Sequence, residues 1–349
     1  MSQTVQITSP HRVEVIDQPT PDLRAGQVRV RTIFSGISAG TELTAYRGSN
    51  PYLNKSWDPD LRLFVDDTSG LHYPVAGLGY SEVGQVVEVA PDVADDPGLP
   101  PVGAHVWGIW GHRGEAVLAA EKLRGCTVPT GLAPIAATFA RVGAVALNAV
   151  LAADIHLGET VAVFGQGVLG LLTTRLVQLS GGTVVAVDAV PGRLEKAREY
   201  GAHTVLDARE GTVGQQIRRL TDGRGADVAI EISGSYPALH EAIRAVAVNG
   251  RVVAAGFYQG DGVGLRLGDE FHHNRVGLVC SQIGGVPPAV VGRWDQIRLN
   301  QTFLRLATDQ QIDPVGLVTH VIPVDEAAAA YQMLDRSPHE ALQVVLTFP

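Results

Sequence analysis

The sequence has little of several residue types that mark particular classes of protein. Two cysteines occur in 349 residues, Cys126 and Cys280, and their positions fit no disulfide, metal-ligand or redox spacing. Basic residues number 27 against 36 acidic ones, and the net charge of −9 opposes binding to nucleic acid or to an anionic membrane. No apolar run is long enough to span a bilayer, and residues 1–12 lack a signal-peptide pattern. We therefore expect a cytoplasmic protein whose partner is a small molecule.

The composition is that of an ordered globular chain with many turns, because 45% of the residues are hydrophobic and 40 are glycine. The length favours two domains. Between residues 5 and 128, short β-type runs at 27–33, 82–89 and 105–110 are separated by stretches rich in glycine and proline. This pattern predicts an irregular, mostly antiparallel β domain.

From residue 137 onward the pattern changes to alternating strands and helices, which is typical of a doubly wound, parallel α/β sheet. The pattern in the last part of the chain predicts a helix at 295–308 and strands at 317–323 and 343–348, which we expect to return to the first sheet. The first domain is then discontinuous, with residues 1–142 and 286–349, and the second comprises 143–285. The predicted strands of the parallel sheet are 160–164, 183–187, 203–206, 228–231, 251–256 and 275–280.

A glycine fingerprint, G-x-G-x-x-G, directly follows the apolar strand 160–164 and opens an apolar helix. Gly165 permits a tight turn, Gly167 lets the backbone approach a pyrophosphate, and Gly170 lets the helix pack close to the strand. This predicts a dinucleotide site. Its candidate contacts are Gly165, Gln166, Gly167, Val168, Leu169 and Gly170.

Asp188 ends the next predicted strand, 18 residues after Gly170, where a carboxylate accepts hydrogen bonds from the adenosine ribose. A carboxylate there repels a 2′-phosphate, so NAD(H) is expected rather than NADP(H). The alternative is that Asp188 only starts the turn before Pro191 or caps the next helix. Arg193 either braces the adenosine side or is an exposed helical arginine.

With these residues in view, the chain resembles the medium-chain dehydrogenase/reductase superfamily, which includes zinc alcohol dehydrogenases, polyol dehydrogenases and quinone reductases. The resemblance covers nearly the whole chain and implies a Rossmann domain beside a GroES-like catalytic domain. The landmarks are the segments 35–42 (SGISAGTE), 79–84 (GYSEVG), 195–202 (EKAREYGA) and 250–253 (GRVV), together with the fingerprint and Asp188.

The departures from the family pattern concern zinc. The resemblance places the first metal-ligand position at Ser38 or Ala39, the histidine position at Tyr80, the following glutamate at Ser81 and the third position near Ala140. None of these supplies a soft ligand for zinc, so no metal is expected. The four-cysteine lobe of some relatives is replaced by the short loop 107–114. The residue pattern of segment 35–42 most resembles that of the branch containing bacteriochlorophyllide a dehydrogenase and uncharacterised sugar or natural-product dehydrogenases.

Without a metal, a side chain must polarise the reacting oxygen and move a proton. The resemblance places Tyr80, Thr41, Ser38 and Glu42 at the active site, and we rank Tyr80 and Thr41 first. Tyr80 either donates a hydrogen bond to the substrate, if its pKa is lowered or a relay supplies the proton, or fills the volume of the lost zinc. Glu42 either orients Thr41, acts as a base, or is a structural carboxylate. Ser233, Gly256 and Phe257 lie at strand ends and are expected to line the nicotinamide pocket.

The segment 46–73 makes the spacing between the first two motifs roughly twice that expected of the family. It is polar, and a wall or lid over a hydroxylated or charged substrate is one interpretation; a surface loop or an oligomer contact is the other. The residues predicted to bind substrate are Tyr46, Arg47, Tyr52, Trp57 and, from the loop 107–114, His112.

The leading hypothesis is an NAD(H)-dependent, zinc-independent dehydrogenase that interconverts a secondary alcohol and a ketone on a sugar, cyclitol or natural-product intermediate. A zinc-free quinone or enoyl reductase is the alternative within enzymes, and a non-catalytic nucleotide-binding protein is the alternative outside them. The family habit of pairing Rossmann sheets implies a homodimer through 275–285. We expect His272 and His273, as neighbours on a strand, to point to opposite faces, so that they do not bind one metal ion and have a structural or an interface role.

Overall fold

The computed structural model describes residues 1–67 and 69–349. The first part of the chain consists of short strands joined by turns. They are β1 (Ser2–Ser9), β2 (Arg12–Gln18), β3 (Gln27–Gly36), β4 (Lys55–Asp58), β5 (Leu63–Asp66), β6 (Val75–Ala76), β7 (Glu82–Val89), β8 (His105–Gly108) and β9 (Glu115–Ala119). The helices of this part are α1 (Glu42–Arg47), α2 (Pro134–Ala137) and α3 (Ala140–Ala153).

Strands and helices alternate in the second part of the chain, as the sequence predicts. Up to residue 280 they are β10 (Thr160–Phe164), α4 (Val168–Leu179), β11 (Thr183–Asp188), α5 (Pro191–Glu199), β12 (Thr204–Asp207), α6 (Val213–Leu220), β13 (Ala226–Glu231), α7 (Tyr236–Ala245), β14 (Val246–Ala254) and β15 (Gly277–Cys280). The chain ends with α8 (Gln296–Thr308), β16 (Val318–Pro323), α9 (Ala327–Arg336) and β17 (Gln343–Thr347).

The chain divides into two compact units. The first unit comprises residues 1–141 and 304–349, and the second comprises residues 142–303. Residues 286–303 therefore group with the second unit. Among the described residues, no helix combines the length and the hydropathy that crossing a membrane requires.

The first unit is built on a mostly antiparallel sheet with the strand order β16-β17-β3-β7-β8, to which β9 adds by pairing with β3. The last strand of the chain lies beside β3, with Val345 opposite Gly36, so the expected return to the first sheet is confirmed. A separate sheet, β2-β1-β6, packs its apolar side chains into a core with α1 and α9. Tyr331 of α9 is fully buried in this core.

The second unit is a six-stranded parallel sheet with the order β12-β11-β10-β13-β14-β15. The chain runs outward from β10 to β12 and then returns to β13, so the strand order reverses between β10 and β13. In such sheets, ligands bind at the carboxyl ends of the strands where the order reverses. The interior strands are almost entirely apolar, as the burial of both faces of a parallel sheet requires.

The sheet's last strand differs from its prediction. It begins at Gly277 rather than at residue 275, because Arg275 has a φ of 52° and turns the chain. The prediction that His272 and His273 lie on a strand is wrong. They follow a π-helical turn, Leu267–Phe271, and their rings make an edge-to-face contact.

The segment 46–73 contains an antiparallel hairpin of β4 and β5, with Trp57 opposite Phe64. Three aromatic rings line this hairpin. The ring centroid of Phe64 lies 5.3 Å from that of Trp57 and 5.2 Å from that of Tyr52, and both contacts are edge-to-face. All three side chains are exposed, Trp57 at 46%. The segment therefore presents an aromatic face as well as polar side chains.

Candidate active site

The glycine fingerprint adopts the geometry that a dinucleotide loop needs. Gly165 has a φ of +93°, and a Cβ there would lie 2.7 Å from the Cβ of Ser233. A Cβ on Gly170 would overlap the carbonyl oxygen of Gly165, so only glycine allows α4 to approach β10 so closely. At Gly167 the nearest atom to an added Cβ, Arg193 Nη1, is 4.0 Å away. The loop thus leaves open space beside Gly167, where α4 begins with Val168 and Leu169.

Asp188 ends β11 and reaches back to the glycine loop. Its Oδ2 accepts the backbone N–H of Gln166 at 2.6 Å, and its Oδ1 accepts that of Val190 at 2.8 Å. The bond to Val190 is the turn contact that we predicted as the alternative role of Asp188. Each carboxylate oxygen has a second lone pair, so these bonds hold Asp188 in place without using up its acceptor capacity. The Gln166 side chain is buried and holds the loop by donating to the carbonyl oxygen of Val163.

Ser233, Gly256 and Phe257 come together at the carboxyl ends of β13 and β14. A Cβ on Gly256 would overlap the backbone nitrogen of Gly234, and Phe257 is 41% exposed. Sequence reasoning missed Glu231, the buried carboxylate beneath them. It accepts hydrogen bonds from the backbone N–H and hydroxyl of Ser233 and from the hydroxyl of Tyr258. Burial raises the pKa of Glu231, and these hydrogen bonds oppose that rise.

These residues fit a dinucleotide. The space beside Gly167, the start of α4 and the carboxylate of Asp188 are the features that hold a pyrophosphate and an adenosine ribose in this kind of sheet. Arg193 Nη1 borders the same space, where a guanidinium can contact a phosphate or the adenosine.

In the first unit, the structure brings three of the predicted catalytic residues together. The hydroxyl of Tyr80 hydrogen-bonds to that of Ser38, and Thr41 is a further hydrogen-bond partner of Tyr80. Burial raises the pKa of Tyr80 above its usual range. The bonds to Ser38 and Thr41 and the charge of Arg141 offset only part of this rise. Tyr80 is therefore a neutral phenol, and its pKa is not lowered.

Glu42 is not a base that contacts substrate, because its side chain is 1% exposed and both its oxygens have partners. Oε1 accepts the backbone N–H of Ser38 at 2.8 Å, and Oε2 lies 2.7 Å from His112 Nε2 and accepts the hydroxyl of Tyr331. The structural role is the one observed, with His112 as the ionisable partner. His112 cannot bind substrate as predicted, since it is 1% exposed and its Nδ1 lies 2.6 Å from Ser35 Oγ.

Sequence reasoning missed three residues of this cluster: Ser35, Glu82 and Tyr331. Ser35 Oγ donates to Glu82 Oε1 at 3.0 Å, and the backbone N–H of Trp110 donates to Glu82 Oε2 at 2.8 Å. Ser35 and Glu82 both lie inside the motifs 35–42 and 79–84. A glutamate at a buried strand position, Glu82, was the signal in the sequence that could have revealed the cluster. Tyr331 lies 289 positions from Glu42, and no local pattern reveals that contact.

Two of the predicted substrate residues lie elsewhere. Tyr46 is 5% exposed and packs in the core against Tyr331 and His11 rather than forming a wall. Arg47 forms an ion pair with Asp335, with Nε 2.5 Å from Oδ1. Tyr52 and Trp57 remain exposed on the hairpin.

The positions of the family's zinc ligands carry hydroxyl and methyl groups here. Within residues 1–67 and 69–349, no three histidine, cysteine, aspartate or glutamate side chains are arranged to hold a metal ion. The donor set at Ser38, Tyr80 and Ser81 does not fit zinc, which prefers thiolate and imidazole ligands.

Comparison with known proteins supports the family suggested by the motifs. A family described as zinc-binding dehydrogenase matches residues 168–290. D-guloside 3-dehydrogenase of Escherichia coli K12 is 28% identical over 98% of both chains, and sorbitol dehydrogenase of Halalkalibacterium halodurans is 26% identical over 95% of both. The crystal structure of 2R,3R-butanediol dehydrogenase from Bacillus subtilis covers all of both chains at 21% identity, with a TM-score of 0.80.

Residues 168–290 match the zinc-binding dehydrogenase family, and over its whole length the chain is similar to members of the medium-chain dehydrogenase/reductase superfamily. The relatives support an oxidoreductase, and the fold is a Rossmann sheet in the second unit and a GroES-like first unit. The second unit offers a backbone cradle that fits a dinucleotide. The first unit offers Tyr80, Ser38 and Thr41 above a buried ionisable cluster.

Proposed function

We propose that this medium-chain dehydrogenase is an NAD(H)-dependent, zinc-independent enzyme that interconverts a secondary alcohol and a ketone on a polar small molecule. The observation that carries the proposal is the contact between Tyr80 and Ser38 at the positions of two family metal ligands. A neutral phenol there can hydrogen-bond to a carbonyl oxygen, which is the task that zinc performs in metal-dependent relatives.

The raised pKa of Tyr80 decides how the proton moves. A phenol that stays protonated cannot act as a base by itself, so alcohol oxidation needs an acceptor behind it. Ser38 and Thr41 are its hydrogen-bond partners, and Thr41 is exposed. During alcohol oxidation the proton passes from the substrate hydroxyl to Tyr80 as the phenol proton moves to Ser38 or Thr41 and on to solvent. Ketone reduction reverses these transfers.

Asp188 supports a preference for NAD(H). Its carboxylate is held by two backbone N–H groups at the end of β11, so it cannot easily swing away from a 2′-phosphate. The bound nicotinamide supplies the hydride acceptor or donor. Gly165, Gly167, Gly170 and Arg193 bind its phosphates, and Ser233, Gly256 and Phe257 bound the nicotinamide end.

The relatives and the hairpin both support a polyhydroxylated substrate. The full-length relatives are named for a guloside and for sorbitol, both polyhydroxylated. An exposed face of Trp57, Tyr52 and Phe64 suits the apolar face of a pyranose ring, while polar neighbours suit its hydroxyls. We therefore favour a glycoside or polyol over a simple aliphatic alcohol.

The test starts with metal analysis of the purified protein, followed by titration with NADH and NADPH. Methyl hexopyranosides, cyclitols, polyols and their ketones are then added while nicotinamide absorbance is followed, with and without a zinc chelator. We expect tighter binding of NADH and turnover of a glycoside or polyol that the chelator leaves unchanged.

Each alternative predicts a different result. A requirement for stoichiometric zinc would refute the metal-free mechanism. Preference for NADPH with turnover of an enone or quinone would favour the reductase. Tight NADH binding without turnover of any compound in the panel would favour a nucleotide-binding protein without catalysis.

A further inference from the structure

A continuous chain of hydrogen bonds runs through the interior of the first unit beneath the Tyr80 and Ser38 pair. Glu82 Oε1 is 3.0 Å from Ser35 Oγ, which is 2.6 Å from His112 Nδ1, and His112 Nε2 is 2.7 Å from Glu42 Oε2. The side chains of all four residues are at most 1% exposed. Two carboxyl groups and one imidazole thus share a space from which water is excluded.

Two of the three partners of Glu42 are donors, the backbone N–H of Ser38 and the hydroxyl of Tyr331. Its Oε1 accepts the N–H of Ser38, and its Oε2 accepts the hydroxyl of Tyr331, from α9, and faces His112 Nε2. A carboxyl group that accepts two hydrogen bonds is best satisfied in its ionised form, and His112 Nε2 then donates to it. Glu42 therefore carries the negative charge, and His112 Nε2 carries a hydrogen.

The partners of Glu82 leave two arrangements of protons. Ser35 has one hydroxyl hydrogen; if it goes to Glu82, then His112 Nδ1 must also carry a hydrogen, and the ring is an imidazolium. If Glu82 is protonated instead, Ser35 donates to Nδ1 and the ring is neutral. Both arrangements have a net charge of −1, and they differ by one proton shifted along Ser35.

Burial favours the second arrangement, because it raises the pKa of Glu82. The donors favour the first: the backbone N–H groups of Trp110 and Ser81 both point at the Glu82 carboxyl, at 2.8 and 3.2 Å. An ionised Glu82 and an ionised Glu42 each need a nearby cation in an interior site, and His112 is the ionisable cationic group placed between them. Although burial opposes it, the charges of Glu42 and Glu82 raise the pKa of His112.

We propose that His112 is a buried imidazolium that joins Glu42 directly, and Glu82 through Ser35, into one cluster that positions Ser38 and Tyr80. The cluster holds the chain on both sides of this pair, since Glu42 accepts the N–H of Ser38 and Glu82 accepts that of Ser81, which follows Tyr80. Gly79 completes the fit, because a Cβ there would lie 2.6 Å from Glu82 Oε1 and 2.9 Å from the His112 ring.

The role of Ser38 and Tyr80 rests on the proposed function, whereas the charge of His112 does not. The charge is read from long-range ¹H–¹⁵N spectra of the full chain with ¹⁵N-labelled histidine at neutral pH. The signals of His112 are assigned by their absence from His112→Asn. We expect both of its ring nitrogens to be protonated. A single protonated nitrogen on His112 would overturn the inference.

The positioning role is tested kinetically with Ser35→Ala, which cuts the link between His112 and Glu82. We expect kcat to fall about tenfold, the loss expected for one hydrogen bond to a charged group. KM and the NADH dissociation constant should stay unchanged, and Ser35→Thr, which keeps the hydroxyl, should restore kcat. Ser180→Ala, which removes a hydroxyl at the exposed end of α4, is the control.

An unchanged kcat in Ser35→Ala would refute the positioning role, as would a loss that Ser35→Thr fails to restore. If Ser35→Ala does not fold, Ser35→Cys takes its place: a thiol donates only a weak hydrogen bond, so kcat should fall by less than in Ser35→Ala, and an unchanged kcat would refute the positioning role. Absence of turnover in the wild type would count against the proposed reaction, while the spectra alone decide whether His112 is an imidazolium.

Discussion

The two units build their sites from different material. In the second unit the cofactor site is made by backbone: a tight turn at Gly165, a close approach at Gly170 and an open space beside Gly167. In the first unit the candidate catalytic site is made by side chains from distant parts of the chain, with Glu42, His112 and Tyr331 in mutual contact. The backbone site tolerates no added Cβ at Gly165 or Gly170, whereas the side-chain site depends on which hydrogens its members carry.

The largest effect is expected from Gly170→Ala. The added methyl group would overlap the carbonyl oxygen of Gly165, so α4 must shift away from β10. We expect a loss of about 3 kcal/mol in the free energy of unfolding and about 100-fold weaker NADH binding. Denaturant unfolding and NADH titration measure the two effects.

Gly192→Ala is the matched control for this substitution. Gly192 lies in α5, no atom lies within 4 Å of an added Cβ, and alanine is the better helix former. Unchanged or slightly higher stability is expected there. Equal losses in both variants would show that the close approach at Gly170 is not what fixes the loop.

The next effect concerns the side-chain site. Tyr80→Phe removes one hydroxyl and keeps the ring, so the interpretation of Tyr80 as a volume filler predicts an unchanged rate. We expect kcat to fall about 100-fold, because the group that hydrogen-bonds to the substrate oxygen is lost. NADH binding should not change, since the cofactor residues lie in the second unit. Tyr200→Phe, at the end of α5, is the control, and a normal rate in Tyr80→Phe would remove Tyr80 from the mechanism.

The contrast between the units explains what the sequence could predict. The glycine fingerprint and Asp188 lie within 24 consecutive residues, and the strand-turn-helix pattern sets their geometry locally. The sheet and the return of the last strand to β3 followed from alternating patterns in the same way. The start of β15 was misplaced because Arg275 adopts a left-handed turn that its residue type does not announce.

The catalytic site was predicted only in part, because its contacts are long-range. Ser35 and His112 are 77 positions apart and Glu42 and Tyr331 are 289 apart, so no spacing rule connects them. The motifs identified Ser38, Thr41 and Tyr80, which form a group. They did not reveal that His112 turns into the interior, nor that Tyr46 belongs to the core.

A smaller effect is expected at the boundary of the cofactor site. Asp188→Ser keeps an acceptor for the turn but removes the negative charge that repels a 2′-phosphate. We expect the preference for NADH over NADPH to fall about tenfold, mainly through tighter NADPH binding. Asp207 occupies the adjacent register position on β12 and pairs with Arg209, so Asp207→Ser is the matched control. An unchanged preference in Asp188→Ser would leave Asp188 as a turn residue only.

The smallest effect is expected on the hairpin of β4 and β5, which belongs to the first unit but whose aromatic residues are exposed. Trp57→Ala removes the ring that makes an edge-to-face contact with Phe64, and an exposed aromatic contact is worth about 1 kcal/mol. If the hairpin contacts a sugar ring, KM should rise about fivefold with kcat unchanged. That result means that Trp57 binds the substrate and the transition state equally well. Leu61→Ala, an exposed residue between the same two strands, should leave KM unchanged. An unchanged KM in Trp57→Ala, together with a change in molecular mass in solution, would instead make the hairpin an oligomer contact. The side-chain site would then consist of Tyr80, Ser38 and Thr41 and the buried cluster beneath them.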